Sequence, residues 1–229
     1  MKYKVLLFDA DETLFDFDKS EAEAFHNTMQ EYGIDAQEEL YFQVYKELNR
    51  LIWKELEDGL ITLTELKVER FRRFLKKQGI DQDEYEFAAC YMKHLGGSSI
   101  LLDGAKELIE DLSGCYRMAI VTNGLTSVQK GRIRKSVIAK YFDEIIISEE
   151  LGVSKPEPGI YEYAVNAMGN FAKKEVLMIG DNLNSDIKGG INYGVDTCWF
   201  NPKRLENKTN FIPDYEVFDF TGLRELLLR

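Results

Sequence analysis

The chain has 229 residues, a length that fits one compact domain of about 150 residues with a smaller insert. Hydrophobic residues make up 45% and charged residues 30%, which is the balance of a folded chain with a substantial core. The formal net charge of −11 repels a phosphate backbone, which argues against a nucleic-acid polymer as partner. A small anionic substrate is still compatible with this charge, because a local lysine and a bound metal can reverse the potential at one site.

The first apolar run, Val5–Phe8, is too short for the core of a signal peptide and is interpreted as a strand. No stretch of the sequence reaches the length of a membrane-spanning helix. Cys90, Cys115 and Cys198 are far apart and lack the spacing of a metal site, so they are interpreted as reduced thiols. We therefore expect a cytoplasmic protein with no membrane partner.

Residues 17–98 contain no strand-like run, and four amphipathic stretches predict helices there. The first stretch carries Phe25, Met29 and Tyr32 on one face. The second is expected to bury a longer stripe, formed by Leu40, Val44, Leu48, Leu51 and Ile52. The aromatic residues of these stripes are interpreted as core packing rather than as ligand contacts.

The third and fourth helices of this segment have recognisable end signals. Thr62 and Glu65 have the spacing of a capping box, and Gly79 is expected to end the third helix. The fourth helix is expected over Glu84–Leu95. An all-helical block thus interrupts the chain after its first strand, and we expect two domains: residues 1–16 with 99–229, and the insert 17–98.

After the helical block, apolar runs recur at Met118–Val121, Ile145–Ile147, Val176–Ile179 and, more weakly, Cys198–Phe200. Continuous apolar runs of this length are typical of parallel strands that are buried on both faces. Ala105–Leu112 and Ile160–Met168 carry apolar residues at helical spacing between them. Strands that alternate with helices predict an α/β fold with a parallel sheet.

Polar residues follow four of the predicted strands. They are Asp9, Asp11 and Thr13 after the first, Thr122, Asn123 and Gly124 after the second, Lys155 after the third, and Asp181 and Asp186 after the fourth. Ligands of open parallel sheets bind at the carboxyl ends of the strands, so these side chains are expected to converge. The ordinary alternatives are a helix cap for Asp9 or Asp186, a turn for Thr122 and Asn123, and a solvated loop for Lys155.

The expected convergence of carboxylates favours a metal-assisted reaction on a phosphate. Asp9 and Asp11 are two residues apart, so they point to the same side of a strand end, where like charges need a cation between them. With Asp181 and Asp186 they form an oxygen-rich site, which favours Mg²⁺. Lys155 and the metal would offset the charge of a phosphate ester. Backbone N–H groups of residues 123–124 could bind phosphoryl oxygens.

These motifs resemble those of the haloacid-dehalogenase-like superfamily of phosphohydrolases. The matching residues are Asp9-x-Asp11-x-Thr13, Thr122, Lys155 and Gly180-Asp181-x-x-x-x-Asp186, which together span nearly the whole chain. The resemblance implies a Rossmann-like α/β core and a helical cap inserted between the first and second motifs. Such a cap would close over the site and exclude bulk water and large phosphorylated polymers.

The same resemblance implies a Mg²⁺-dependent transfer in two steps. Asp9 would form an aspartyl-phosphate, and Asp11 would protonate the leaving oxygen and then deprotonate a water molecule. Thr13 would hold the loop, while Thr122 and Lys155 would grip the phosphoryl group. The implied ligands of Mg²⁺ are the Asp9 side chain, the Asp11 main-chain carbonyl, Asp181 and, directly or through water, Asp186.

A closer resemblance is to bacterial house-cleaning pyrimidine 5′-nucleotidases of that superfamily. It is carried by residues 8–15 (FDADETLF), 122–124 (TNG), 147–150 (ISEE), 185–192 (SDIKGGIN) and 197–201 (TCWFN). Glu12 stands where most of the superfamily has Gly, and it is similar to this subgroup, whereas Tyr193 departs from the small residue expected there. The resemblance implies a small phosphate monoester as substrate, namely a pyrimidine nucleoside 5′-monophosphate.

Several other functions are compatible with parts of this pattern. Within the superfamily they are a sugar-phosphate phosphatase and a phosphomutase, which would isomerise its substrate without releasing phosphate. A haloacid dehalogenase needs neither metal nor a second aspartate, so the presence of Asp11 argues against it. A P-type ATPase has Lys at the position of Asp11 and needs membrane helices, which are not expected in this sequence. A phosphate- or metal-binding protein without turnover is expected to lack one of the motifs. The sequence leaves the oligomeric state, monomer or homodimer, open.

Overall fold

The computed structural model of the protein describes residues 2–34 and 38–228. The chain divides into two compact units, which we call the sheet unit (Met1–Asp18 with Ser99–Arg229) and the helical unit (Lys19–Ser98). None of the described helices combines the length and the apolar composition that a membrane span requires.

In the described part of the chain, six strands form one sheet: β1 (Val5–Phe8), β2 (Arg117–Thr122), β3 (Glu144–Ile147), β4 (Val176–Gly180), β5 (Asp196–Phe200) and β6 (Tyr215–Val217). Their order is β3-β2-β1-β4-β5-β6, and all neighbours are parallel. The five apolar runs are thus confirmed as strands, and the α/β class with them. The sequence analysis missed β6, because three residues with the exposed Glu216 at their centre form no apolar run.

Between residues 17 and 97 the structure describes four helices: α1 (Phe17–Glu31), α2 (Glu38–Glu57), α3 (Leu63–Gln78) and α4 (Glu84–Gly97). The predicted capping box begins α3, since Thr62 Oγ1 accepts from the Glu65 N–H at 3.2 Å and Glu65 Oε2 accepts from the Thr62 N–H at 2.8 Å. Gly79 ends this helix with φ +65°, a conformation that favours glycine. Helix α4 runs beyond its predicted end at Leu95 and includes Gly97.

The buried face of helix α2 overlaps the predicted one only in part, since Ile52 is buried as predicted and Val44 and Leu48 are half-buried. Leu40 and Leu51 are 55% and 41% exposed, whereas Tyr45, Asn49 and Ile52 are buried. The rings whose centroids lie within 5.4 Å of the Tyr45 ring are those of Phe25, Phe71 and Tyr91. The aromatic cluster therefore decides which face is buried, because a large ring removes more apolar area from water than a leucine does.

The remaining described α-helices belong to the sheet unit: α5 (Ala105–Leu112), α6 (Thr126–Lys135), α7 (Ser148–Leu151), α8 (Pro158–Ala167), α9 (Lys188–Tyr193) and α10 (Phe220–Leu227). Helix α5 has the predicted bounds. Helix α8 begins at Pro158, before the predicted start at Ile160, since proline suits the first turn of a helix.

The apolar residues of the sheet unit form two cores, one on each face of the sheet. In β1, Leu6 and Phe8 belong to the core that α5 and α10 cover, and Val5 and Leu7 belong to the core that α8 covers. Burial on both faces explains why these strands are continuous apolar runs. The polar loops that carry the predicted site emerge at the carboxyl ends of the strands, where open α/β sheets bind ligands.

Candidate active site

Asp9 lies at the carboxyl end of β1 with its side chain buried. The Asp9 N–H donates to the Ile179 carbonyl at 2.8 Å, so the pairing of β1 with β4 continues to this residue. Thr13 Oγ1 donates to Asp9 Oδ2 at 3.4 Å and accepts from the Asp181 N–H at 3.1 Å. Thr13 therefore ties the loop after β1 to the loop after β4.

The loop after β1 turns back through an unusual backbone conformation at Glu12. Its φ is +58°, which explains why glycine is the common residue at this position in the superfamily that the motifs resemble. The Glu12 N–H donates to the Phe15 carbonyl at 2.8 Å, and the Phe15 N–H donates to the Ala10 carbonyl at 2.9 Å. Glu12 Oε1 accepts from the Asp18 N–H at 3.1 Å, and Oε2 pairs with Lys203 at 3.1 Å. These contacts of the side chain help to hold a conformation that only glycine adopts without strain.

Lys155 is buried at the centre of the site. Its Nζ lies 2.5 Å from Asp9 Oδ1 and 2.7 Å from Asp186 Oδ1, and it donates to the Val121 carbonyl at 2.7 Å. The backbone of Lys155 is clamped by Asn123, whose Oδ1 accepts from the Lys155 N–H at 2.8 Å and whose Nδ2 donates to the Lys155 carbonyl at 2.7 Å. Strand β2 and the segments after β1, β3 and β4 thus meet at one ammonium group.

Asp181 directly follows β4, and Asp186 lies in the short π-helical turn (Leu183–Ile187) that comes after it. Asn182 shapes this segment, since its Oδ1 accepts from the Asn184 N–H at 2.8 Å and its own N–H donates to Asp186 Oδ2 at 3.0 Å. The Asp181 carbonyl accepts from Trp199 Nε1 at 2.7 Å, a contact that the sequence analysis did not predict. Asp186 is fully buried and Asp181 only half-buried, so the acidic loop has an inner and an outer carboxylate.

Asp9, Asp181 and Asp186 each offer one carboxylate oxygen, and these atoms lie within 4.8 Å of one another. Burial, with the charges of Asp186 and Asp11 adding to it and that of Lys155 opposing it, raises the pKa of Asp9 to about 7. Burial, and then the charges of Asp9 and Asp186, raises the pKa of Asp181 well above its ordinary value. Burial acts to lower the pKa of Lys155, but Asp186 and Asp9 raise it overall.

The site carries an excess of negative charge, because one ammonium group does not balance three carboxylates, and this excess adds to burial in raising the pKa values of Asp9 and Asp181. A cluster of carboxylate oxygens is the donor set that a hard divalent cation prefers. The residues present therefore fit Mg²⁺, the ion that the sequence analysis named.

Asp11 has other partners. Its Oδ1 forms an ion pair with Arg132 Nη1, and its Oδ2 accepts from Gln129 Nε2 at 2.7 Å. Gln129 Nε2 also donates to Thr122 Oγ1 at 3.0 Å. Among the described residues, the Asp11 side chain is thus outside the group of three carboxylates, and it faces helix α6.

The structure brings the predicted residues to one edge of the sheet in two connected groups. The first contains Asp9, Thr13, Asn123, Lys155, Asp181 and Asp186, and the second contains Asp11 and Thr122. Gly124 follows directly after Asn123, at the start of the segment that leads into α6. Two residues of this site were not predicted from the sequence: Gln129, which joins Asp11 to Thr122, and Arg132, which pairs with Asp11.

A doubly wound parallel sheet with a polar cluster at the carboxyl ends of its strands defines an α/β protein with a ligand site at that edge. The family model described as haloacid dehalogenase-like hydrolase matches residues 3–194, and this chain belongs to that family. The family resemblance stated from the sequence is thereby confirmed.

Three other proteins are similar to this chain over nearly its full length. It is 39% identical to the pyrimidine 5′-nucleotidase PynA of Streptococcus pneumoniae, over 99% of this chain and 96% of that protein. It is 33% identical to the pyrimidine 5′-nucleotidase YjjG of Escherichia coli, over 100% of both chains. The crystal structure of the HAD-hydrolase YfnB of Bacillus subtilis bound to magnesium has a TM-score of 0.91 at 35% identity, covering 99% of each chain.

Proposed function

We propose that this protein is a Mg²⁺-dependent phosphatase of small phosphate monoesters that uses Asp9 as its nucleophile. The observation that carries the proposal is the buried Asp9 carboxylate, 2.5 Å from Lys155 Nζ and grouped with Asp181 and Asp186. A carboxylate that is fixed beside a cation and at the edge of an acidic cluster can approach an anionic ester only where the charges are compensated. Lys155, together with a cation held by the three carboxylates, would provide that compensation.

The reaction proceeds in two steps, formation of an aspartyl-phosphate and its hydrolysis. An Asp9 oxygen attacks phosphorus, an aspartyl-phosphate forms, and the ester P–O bond breaks while Asp11 gives its proton to the leaving oxygen. Asp11 then takes a proton from water, the water oxygen bonds to phosphorus, and the bond from phosphorus to Asp9 breaks to release inorganic phosphate. Lys155, Thr122 and the backbone N–H groups of residues 123–124 bind the phosphoryl oxygens, and Thr13 holds the loop that carries both aspartates.

The side chains of Asp9, Asp181 and Asp186, with the main-chain carbonyl of Asp11, would hold Mg²⁺. When bound, the ion supplies positive charge that offsets the charge of the phosphate during the approach of an anionic nucleophile. The pKa values of Asp9 and Asp181 are raised by burial and then by the repulsion among the carboxylates, and a bound cation would offset both effects, which supports this assignment.

For the substrate, we propose a pyrimidine nucleoside 5′-monophosphate. The support is the similarity along the whole chain to two proteins named as pyrimidine 5′-nucleotidases, at 39% and 33% identity. We expect phosphate release from uridine, thymidine and cytidine monophosphates to exceed release from purine nucleotides and sugar phosphates, each with and without Mg²⁺. A sugar phosphate as the best substrate would refute the nucleotide assignment, and isomerisation without phosphate release would indicate a phosphomutase.

The nucleophile is tested by replacing Asp9 with asparagine. Asp9→Asn should lower kcat by at least about a thousandfold, because the amide cannot form the acyl-phosphate. The matched control is Asp103→Asn, which removes an exposed carboxylate and should leave kcat unchanged. Phosphate release at saturating substrate measures both, and circular dichroism checks the fold. Substantial turnover by Asp9→Asn would exclude Asp9 as the nucleophile.

A further inference from the structure

Helix α6 contributes two side chains that hold both oxygens of the Asp11 carboxylate. Gln129 Nε2 donates to Asp11 Oδ2 at 2.7 Å, and Arg132 Nη1 pairs with Asp11 Oδ1. We propose that Gln129 and Arg132 are positioning residues, which orient Asp11 for proton transfer between the enzyme and the leaving oxygen. This inference rests on the proposed function, because it needs Asp11 as the acid and base.

The two contacts fix the plane of the Asp11 carboxylate. A carboxylate bound through one oxygen can still rotate about its Cβ–Cγ bond, whereas one bound through both oxygens cannot. Each oxygen keeps a second lone-pair site, and the side chain is 27% exposed, so one side stays open to a reacting group. Proton transfer requires such a fixed orientation, because a displacement of about 1 Å can cost about a hundredfold in rate.

Arg132 is itself held rigidly in the interior. It is fully buried, and its guanidinium lies over the rings of Phe15 and Phe17, 5.3 Å and 5.4 Å from their centroids. Among the described residues its Nε and Nη2 atoms have no hydrogen-bond partner. A buried guanidinium is costly unless its charge is paired, and here the ion pair is with the proposed acid. An arginine that served only to stabilise the fold would be expected to satisfy more of its five donors.

Gln129 extends the same arrangement to the end of β2. Its second amide hydrogen reaches Thr122 Oγ1 at 3.0 Å, and its Oε1 lies 3.4 Å from Arg132 Nη1. Gly124 provides the space for this side chain, since a Cβ there would lie 2.8 Å from Gln129 Cγ. The residue proposed to grip the phosphoryl group and the residue proposed to move the proton therefore share one amide group.

The test compares two esters that differ in how much the leaving oxygen needs protonation. Phenyl phosphate needs a well-placed acid, whereas 4-nitrophenyl phosphate expels a stable anion. With saturating Mg²⁺, Arg132→Lys and Gln129→Met should lower kcat/KM about 10-fold to 100-fold for phenyl phosphate and less than about threefold for 4-nitrophenyl phosphate. The parameter kcat/KM is used because it covers the steps up to departure of the leaving group.

A second comparison separates positioning from a structural role. Arg132→Lys made in an Asp11→Asn background should cause no further loss, because the group that it orients is already gone. An equal loss with both esters, or an additive loss in the double variant, would overturn the inference. Gln129→Met, an uncharged variant of similar size, carries the test if circular dichroism shows that Arg132→Lys does not fold.

Other outcomes would overturn the proposed function and not only the positioning role. A wild-type protein that releases no phosphate from either ester would overturn the function and this inference together. An Asp11→Asn variant that loses as much with 4-nitrophenyl phosphate as with phenyl phosphate would remove Asp11 as the acid, and the inference with it. Wild-type kinetics in both helix α6 variants would overturn the positioning role while leaving the phosphatase intact.

Discussion

At the scale of single residues, Gly180 determines whether the buried Asp186 can occupy its place. The last residue of β4 passes so close to that carboxylate that a Cβ on Gly180 would lie 2.3 Å from Asp186 Oδ2. Asp186 cannot easily move away, because Oδ1 is 2.7 Å from Lys155 Nζ and Oδ2 accepts from the Asn182 N–H at 3.0 Å. The glycine therefore serves close packing beside the acidic cluster.

Gly180→Ala should destabilise the protein and weaken its binding of Mg²⁺. The added methyl group forces the Asp186 side chain off its two partners, and overpacking of this kind costs about 1–3 kcal/mol. The free energy of unfolding from urea denaturation measures the first effect, and calorimetric titration with Mg²⁺ measures the second. Gly97→Ala is the matched control, since no atom lies within 4 Å of its Cβ position and alanine favours a helix. An unchanged affinity for Mg²⁺ in Gly180→Ala would contradict the placement of Asp186 among the ligands.

The sequence permitted a prediction of residues whose chemistry is visible in a motif, and not of those whose role depends on distant packing. Asp9 directly follows β1, and Lys155 lies in the segment that follows β3 and α7, so the apolar runs before them indicate where they lie. Arg132 stands in a helix whose last turn is basic, a pattern typical of a solvated face. Its burial depends on two aromatic rings and on Asp11, which is 121 residues away in the chain. No local pattern records such a contact.

At the scale of elements, burial on both faces made the central strands predictable, because it requires an uninterrupted apolar run. The buried face of α2 was predicted only in part, since periodicity weighs all apolar residues alike and the Tyr45 ring packs among other rings. The contact of one helix with another is harder still to predict from the sequence. Helix α9 approaches α8 so closely that a Cβ on Gly189 would lie 2.3 Å from the Tyr161 hydroxyl.

Gly189→Ala should lower the free energy of unfolding by about 1–3 kcal/mol, because the methyl group would displace the buried Tyr161. Tyr161 donates to the carbonyls of Ser185 and Asp186 at 3.1 Å and 3.2 Å, so its displacement also loosens the acidic loop. Urea denaturation of Gly189→Ala, Tyr161→Phe and the double variant checks this. The double variant should lose less than the sum of the single losses, because both changes act on one contact. Additive losses would show that the two substitutions act on separate contacts.

At the scale of the whole molecule, the site joins segments that are far apart in the chain. Lys155 and Asp9 are separated by 146 residues, and Asp186 lies in a third segment, after β4. The acidic cluster opposes folding in the absence of metal, as the raised pKa values of Asp9 and Asp181 show. Each of these carboxyl groups is harder to ionise in the folded state, so the metal-free fold loses stability as the pH rises from the ordinary pKa of an aspartate through the raised pKa, which for Asp9 is about 7. A bound cation would reverse that effect.

Mg²⁺ should therefore raise the melting temperature of the sheet unit. At a free concentration about 100 times Kd the gain is about 2.7 kcal/mol, which corresponds to about 5–11 °C for a chain of this size. Asp181→Asn should change the melting temperature, relative to the wild type, in different directions without metal and with Mg²⁺. Without metal its melting temperature should equal or exceed that of the wild type, because a repelled carboxylate is gone, and with Mg²⁺ it should gain much less.

Differential scanning calorimetry in EDTA and in excess Mg²⁺ measures all four melting temperatures, with Asp103→Asn as the control that should respond to Mg²⁺ as the wild type does. A change in the order of the melting temperatures of the wild type and Asp181→Asn between EDTA and Mg²⁺ distinguishes a metal ligand from a residue that only stabilises the fold. A structural carboxylate would lower the melting temperature by the same amount in both conditions. If Asp181→Asn shows that uniform loss, the three carboxylates do not form a cation site, and the excess charge at the carboxyl ends of β1 and β4 needs another explanation.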